Sequence, residues 1–357
     1  MTANDIPYLR LTNQQIAASK LSKPADLVKW MGCIQAQDYA GAKWAIGNRI
    51  NGITDAQIEH DLDKGKILRT HVLRPTWHFV SPQDIGWMLQ LTAPKVKAMS
   101  KPYHRKLGMD AAVLKNSRDI IIKTLQGHNY LTREELAIHL NKGKIDTSDI
   151  RLGFLLMDAE LDGIICSGPR KGNKITYALL AERVSKIKLL DKDESIATLA
   201  KTYFQSHGPA TGQDFAWWSG LTLTESKLGI EFNKKYLSSE AIDNQTYWFV
   251  KNTAFVKEQQ QVHLLPAYDE YTVAYKDRNL VLPANCIKPS GNGIFKPTIV
   301  VNGQVTGTWK RSFAKDKVLI ELAFINKVAD IFKIAARNQA LRYATFIDVA
   351  HPEIKIK

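Results

Sequence analysis

The sequence predicts an α+β chain of three tandem winged helix-turn-helix units followed by a β-rich C-terminal domain. Three observations predict it. The stretch from about Lys115 to Val184 reads as three helices and then a two-stranded hairpin. The same order recurs after it with little likeness in letters, and less cleanly before it. No low-complexity linker separates the repeats, so they are expected to pack against one another. The expected segments are residues 1–110, 111–187, 188–255 and 256–357.

Each element has its own signal. In the first segment, helices are expected near Asn13–Lys20, Ala25–Met31, Gly41–Arg49 and Asp55–Asp63, with closing strands at Ile67–Val72 and Thr76–Val80. In the second, Asn116–Leu125 puts Ile120, Ile121 and Leu125 on one helical face. Thr132 stands three residues before Glu135, the spacing of a capping box, and opens a helix to about Leu140. Ser148 begins a third helix carrying Ile150, Leu152, Phe154, Leu155 and Leu156. The wing is Ile164–Ser167, a turn-rich tip from Gly168 to Asn173, and Lys174–Leu180.

In the third segment, Ile196, Leu199, Ala200, Tyr203 and Phe204 have helical spacing, and His207-Gly208-Pro209 ends that helix. Thr211 caps a helix through Trp218, and Thr224 opens another to about Phe232. Tyr236–Ser239 and Thr246–Val250 can pair as a wing. The C-terminal part offers strands at Gln261–Leu265, Thr298–Val301, Gln304–Trp309 and Val318–Phe324, then a helix from about Lys327 to Ala344.

Charge narrows the partners. Lys+Arg 49 against Asp+Glu 35 leaves a net +14, which suits a polyanion, usually nucleic acid; a generally basic protein without such a partner is the plainer alternative. No apolar run approaches the ~20 residues that span a bilayer, so no membrane partner is expected. Cys33, Cys166 and Cys286 lie far apart without CxxC spacing and cannot all pair, which suits a reducing compartment. The polar start Met1-Thr2-Ala3-Asn4-Asp5 lacks the pattern of a secretion signal. A cytoplasmic location is expected.

A winged helix ordinarily reads DNA through its third helix. Here that helix carries Asp149, Asp158, Glu160 and Asp162 against Arg151, and its later counterpart carries Glu225, Lys227 and Glu231. Phosphate would repel such helices, which weakens the reading of a non-catalytic transcription regulator. The basic residues gather elsewhere: Lys101 and Arg105, then Arg170, Lys171 and Lys174, then Lys276 with Arg278, and Lys310 with Arg311. Each cluster alone suits a solvated face; together they could track phosphates without reading sequence.

The sequence holds no HExxH, Walker A or contextual GxGxxG motif, and His71 and His78 lack a third ligand, so neither metal nor cofactor is expected. Ile34-Gln35-Ala36-Gln37-Asp38 is more informative. If it is extended, Gln35 and Gln37 share one side, with Ile34 and Ala36 anchoring the other. Each amide offers an acceptor and a donor without charge, enough to hold a water or grip a sugar-phosphate. Two loop glutamines that cap backbone is the plainer reading. Asp38 competes as general base, yet in an extended segment it points away from both.

Arg74, Thr76 and His78 would share a strand face. His78 is then either a hydrogen-bonded structural histidine or a phosphate or substrate contact. Asp269 and Glu270 are neighbours and would face opposite ways, which suits a structural or orienting role better than an acid–base dyad. Trp217 and Trp218 are expected in the core in preference to a stacking role.

Four stretches together resemble the AlkZ/YcaQ-type winged-helix DNA glycosylases. They are Ile34–Asp38, Arg74–His78, Leu264–Tyr271 through Lys276-Asp277-Arg278, and Asn302–Arg311, spread over nearly the whole chain. That family carries a Gln-apolar-Gln catalytic motif, with Asp for the second Gln in another branch; Gln35 and Gln37 match the two-glutamine branch. The resemblance implies three winged helices around a DNA channel, a monomer, and monofunctional excision of alkylated purines, including bulky or crosslinked N7-guanine adducts, from double-stranded DNA. It makes Gln35 and Gln37 catalytic, with Asp38, Arg74, Thr76 and His78 as candidate substrate or DNA contacts.

Overall fold

The computed structural model of the protein describes residues 1–251, 260–282, 296–314 and 317–357. Cys286 lies outside the described residues. In chain order the first elements are α1 (Ile6–Asn13), α2 (Pro24–Met31), β1 (Cys33–Gln35), α3 (Tyr39–Arg49), α4 (Asp55–Asp63), β2 (Leu68–His71), β3 (Trp77–Val80) and α5 (Ile85–Lys106). The first helix falls earlier than expected. Pro7 stands in its first turn, where a missing N–H costs nothing, and Gln15 takes φ 61°, which carries the chain out of the helix. The 22-residue α5 was not anticipated; it holds Pro94 and Pro102, residues that ordinarily mark a break.

Next come α6 (Ala111–Leu125), β4 (Leu131–Thr132), α7 (Arg133–Lys142), α8 (Arg151–Leu161), β5 (Ile165–Ser167), β6 (Thr176–Leu179) and the short α9 (Leu180–Arg183). Then follow α10 (Lys192–Ser206), α11 (Gly212–Ser219), α12 (Leu223–Phe232), β7 (Leu237–Ile242) and β8 (Gln245–Val250). The chain continues through β9 (Val262–Leu265), α13 (Glu270–Val273), β10 (Thr298–Val301), β11 (Gln304–Ala314), β12 (Lys317–Phe324), α14 (Asp330–Phe346) and β13 (Glu353–Ile356). Thr132 closes a capping box and Thr211 caps its helix as expected, the latter also in a capping box with Asp214, whereas α12 is capped by Thr222, whose hydroxyl accepts from Glu225 N, and not by Thr224.

The described residues form two compact units. Met1–Glu59 and Ile196–Lys357 make one; His60–Ser195 make the other. In the smaller unit, α6, α7 and α8 bury Ile121, Leu125, Leu136, Leu140, Leu155 and Leu156 beside an antiparallel sheet of order β4-β6-β5. Two acids of α8, Asp158 and Glu160, do not face outward as expected, whereas Asp149 before the helix and Asp162 at its C-cap are exposed. Asp158 is buried and accepts from Arg118 at 3.0 Å; Asp162 accepts from the same guanidinium at 2.6 Å and pairs with Lys97; buried Glu160 pairs with His71. An unpaired buried carboxylate would cost several kcal/mol, so these acids require their cations. Most of the helix is buried, an argument against a recognition role that adds to phosphate repulsion.

The larger unit holds a five-stranded sheet of order β13-β12-β11-β10-β9, antiparallel except for the β12–β13 pair. Helices α3 and α14 cover it. Trp44 of α3 donates its indole N–H to Leu264 O at 2.7 Å and packs on Tyr343 and Phe346 of α14, with ring centroids 5.0 and 5.1 Å away. This fixes α3, and so the segment leading into it, on the sheet. Hairpin β7–β8 stands in the same unit. Among the described residues, no helix is long and apolar enough to cross a membrane.

Gly47 of α3 lies under Phe346: a Cβ there would sit 2.5 Å from the ring. Alanine gains about 1 kcal/mol of helix propensity over glycine, but overpacking an enclosed ring costs about 1–3 kcal/mol. Gly47→Ala should therefore lower the urea midpoint, read from tryptophan fluorescence; an unchanged or raised midpoint would show that α14 gives way.

Candidate active site

The glutamine segment is built by three local choices. Strand β1 ends at Gln35, because Asp38 accepts from Gly41 N at 3.0 Å and starts α3. Gly41 allows the close approach: a Cβ there would meet Asp38 Oδ2 at 2.6 Å and Pro266 at 3.3 Å. Between strand and helix the chain bends at Gln37. The expected alternation along the segment thus fails. Ile34, Gln35 and Ala36 are all buried, while Gln37 is exposed.

Gln35 is the unusual residue. It is only 8% exposed, and its side-chain Oε1 has no hydrogen-bond partner. Leaving a buried acceptor unpaired costs about 1–3 kcal/mol, and such groups mark sites where a ligand or water completes the set. Its backbone N–H donates to Glu270 Oε1 at 2.8 Å. Asp38 is engaged on both oxygens: one caps α3, and the other lies 3.7 Å from Arg311.

Glu270 and Asp269 sit behind this segment. Asp269 takes two bonds of 2.8 Å from Arg49 and caps α13 through Tyr271 N at 2.9 Å. Glu270 is fully buried; its Oε2 accepts from Trp218 Nε1 at 3.0 Å and lies 3.5 Å from His207 Nε2. Burial holds the His207 pKa below its usual value against the opposing pull of Glu270. The pair does not lie on a strand: Asp269 is the N-cap of α13 and Glu270 its first residue, so the expected strand alternation does not apply, and each acid takes its own donors.

Trp217 corrects an expectation. Adjacent helical positions lie about 100° apart, and at the edge of a buried face one of them can turn outward. Trp218 is buried; Trp217 is 44% exposed, with its N–H tied to Val273 O at 3.0 Å and Arg278 5.7 Å from its ring. Lys276 is exposed beside it, its Nζ 3.2 Å from Gln213 Oε1. Elsewhere in this unit Lys310 pairs with Glu321 at 2.6 Å, and Lys310 and Lys357 together pull the Glu321 carboxyl down to about 2.

In the smaller unit, Arg74 and Thr76 are not on a strand. Leu73 takes φ 62°, and Arg74 N and Thr76 N each bond the carbonyl two residues back at 2.7 Å, a pair of γ-turns around Pro75, which has no N–H for a ladder. Arg74 Nε and Nη2 and Thr76 Oγ1 are buried without hydrogen-bond partners, while His78 is fully buried with Nδ1 2.9 Å from Thr76 O. Lys101 and Arg105 are exposed one turn apart on α5. At the hairpin tip Arg170 donates its backbone N–H to Asp63, and Lys171 and Lys174 pair with Glu135 and Glu134 of α7.

Residues 28–346 match the family described as DNA glycosylase AlkZ-like. The chain belongs to that family. It is 24% identical over 326 residues to a protein from Streptomyces sahachiroi named interstrand DNA cross-link repair glycosylase, spanning 84% of this chain and 85% of that one. The solved structure of Streptomyces sahachiroi DNA glycosylase AlkZ matches with a TM-score of 0.82 over 100% of both chains at 20% identity, a likeness of fold. This AlkZ-like protein is thus a DNA repair glycosylase, an enzyme that hydrolyses N-glycosidic bonds in DNA.

The tip lysine leaves a titration signature. Lys171, then the Thr132 backbone, hold the Glu135 carboxyl down from 4.5 to about 2. A lowered carboxylate pKa means the contact is complete above pH 4.5 and is lost as pH falls through about 2. Carbon-detected NMR should place the Glu135 midpoint near 2 and move it upward in Lys171→Ala; an unmoved midpoint would break the pairing.

Proposed function

We propose that this AlkZ-like enzyme excises N7-alkylated purines from double-stranded DNA, with Gln35 and Gln37 as its catalytic pair. The observation that carries this is the unpaired, buried Oε1 of Gln35 beside the exposed amide of Gln37. An N7-alkylguanine is already cationic, so it departs as a neutral base without a strong acid. Water oxygen bonds to C1′ and releases a proton as the C1′–N9 bond breaks and its electron pair leaves with the base. The transition state resembles an oxocarbenium ion. Amide carbonyls aimed at the sugar stabilise that charge and orient the water. They do so less strongly than a carboxylate, so the reaction depends on a good leaving group, and unmodified guanine survives.

The name of the Streptomyces relative points to interstrand DNA crosslinks as a further substrate. Excision is monofunctional in this reading, and the enzyme acts as a cytoplasmic monomer. The three winged helices (residues 1–110, 111–187 and 188–255) and the C-terminal domain (256–357) are the modules of the chain. The helix–helix–helix–hairpin orders α6–β6 and α10–β8 support the second and third modules. A sequence-reading regulator is disfavoured by the burial of α8.

Phosphate contacts come first from exposed cations that, among the described residues, hold no acid: Lys101, Arg105 and Lys276. Arg170 and Arg278 are further candidates, and Lys171, Lys174, Lys310 and Arg311 must trade an existing carboxylate. Asp38 in the larger unit, and Arg74, Thr76 and His78 in the smaller, are each candidate substrate or DNA contacts in this reading.

Single-turnover incubation with a duplex carrying one N7-methylguanine, followed by alkaline cleavage, tests the assignment. Gln35→Ala and Gln37→Ala should each slow excision by about 10²–10³ with DNA affinity retained. Parent rates in both would sink the site. Lys101→Glu with Arg105→Glu should flatten the plot of log affinity against log salt by up to about 2 in slope; a parallel plot would remove these two residues from the phosphate path.

A further inference from the structure

The Glu270 carboxylate has no role in the hydrolysis as written, yet it touches the catalytic segment directly. It is one of the few acids in the larger unit that is fully buried, and it accepts from the peptide N–H of Gln35 at 2.8 Å. Its second oxygen accepts the Trp218 indole N–H at 3.0 Å and faces His207 Nε2 at 3.5 Å. Placing a carboxylate in a dry interior is costly, and a hydrophobic side chain of similar volume would often give a more stable protein. A group retained at such a cost, on the backbone of a catalytic residue, is there for geometry.

We propose that Glu270 is a positioning residue that holds Gln35 in the register from which its amide acts. The inference rests on the assignment of Gln35 and Gln37 above. A carboxylate suits the task because it accepts at both ends. One oxygen fixes the end of β1, and the other is fixed by α11. Glutamine is nearly isosteric but must turn an NH2 group toward one of those two donors. Its hydrogen bond to Gln35 or to Trp218 becomes a donor–donor contact.

The neighbouring elements keep the carboxylate from drifting. Asp269, the preceding residue, is clamped by two bonds to Arg49, and Arg49 also donates to Gln14 Oε1 at 2.9 Å. Gln14 donates to Tyr275 OH at 2.9 Å, and Tyr275 OH donates to His207 O at 2.7 Å. Helices α1, α3 and α13 and the turn that follows α10 are thus tied into one set of bonds, and Glu270 is the member that touches β1.

The test uses the full chain, the N7-methylguanine duplex and enzyme titrated to saturation, so that maximal rate and DNA affinity separate. Glu270→Gln should lower the maximal single-turnover rate by about 100-fold, the cost of a misplaced catalytic group, with affinity and folded fraction unchanged. In protein labelled with 15N-glutamine, the Gln35 amide should lose protection from hydrogen exchange in the same variant. A parent rate in Glu270→Gln beside an inactive Gln35→Ala overturns the positioning role alone. Full activity of Gln35→Ala overturns the site assignment and the role built on it. Should Glu270→Gln fail to fold, Glu270→Asp keeps both acceptors but draws them back by one methylene. A lower rate at unchanged affinity then supports the proposal, and a parent rate overturns it.

Discussion

The larger unit depends on a pair of acids buried side by side. Asp269 and Glu270 are almost wholly shielded from water, and each must be satisfied by donors brought from elsewhere in the chain. Arg49 answers Asp269 from α3; the Gln35 peptide and the Trp218 indole answer Glu270 from β1 and α11. Each donor is itself anchored: Arg49 by Gln14, and α3 by Trp44 on the sheet. The acids therefore specify which elements meet, a role that apolar packing fills less selectively.

The smaller unit manages charge the same way, to a different end. The acids of α8 are consumed by Arg118, Lys97 and His71, and the tip lysines by the first turn of α7. Anionic side chains at a helix N-terminus also suit its dipole, so Glu134 and Glu135 are placed well for both purposes. A net charge of +14 overstates what such a surface offers to DNA. Among the described residues, the exposed cations without an acid, such as Lys101 and Arg105 on α5, are more specific in place.

Legibility followed the range of the causes. The three helices and hairpin between residues 116 and 180 were readable because caps, turn residues and apolar spacing act within a few positions; Thr132 with Glu135 is the clearest case. The two glutamines were readable as a pattern, but the burial of Gln35 was not. It depends on Glu270, 235 residues away. Helix α5 was missed because its two prolines signal a break that the surrounding packing overrides. The exposure of Trp217 was not readable, because adjacent helical positions can both be buried, as Tyr203 and Phe204 are, and which of the two tryptophans turns outward depends on distant packing.

The larger unit takes its first part from residues 1–59 and the rest from residue 196 onward. The peptide N–H of Gln35 therefore leaves the ribosome long before the carboxylate that receives it. Domains generally form as units from the N-terminus during translation, and closing so long a chain segment is entropically slow. The residues of the smaller unit are complete in the interval. A nascent or truncated polypeptide that stops short of Glu270 carries both glutamines but not the partner that seats them, so the glutamine segment takes its working shape only late in the making of the chain.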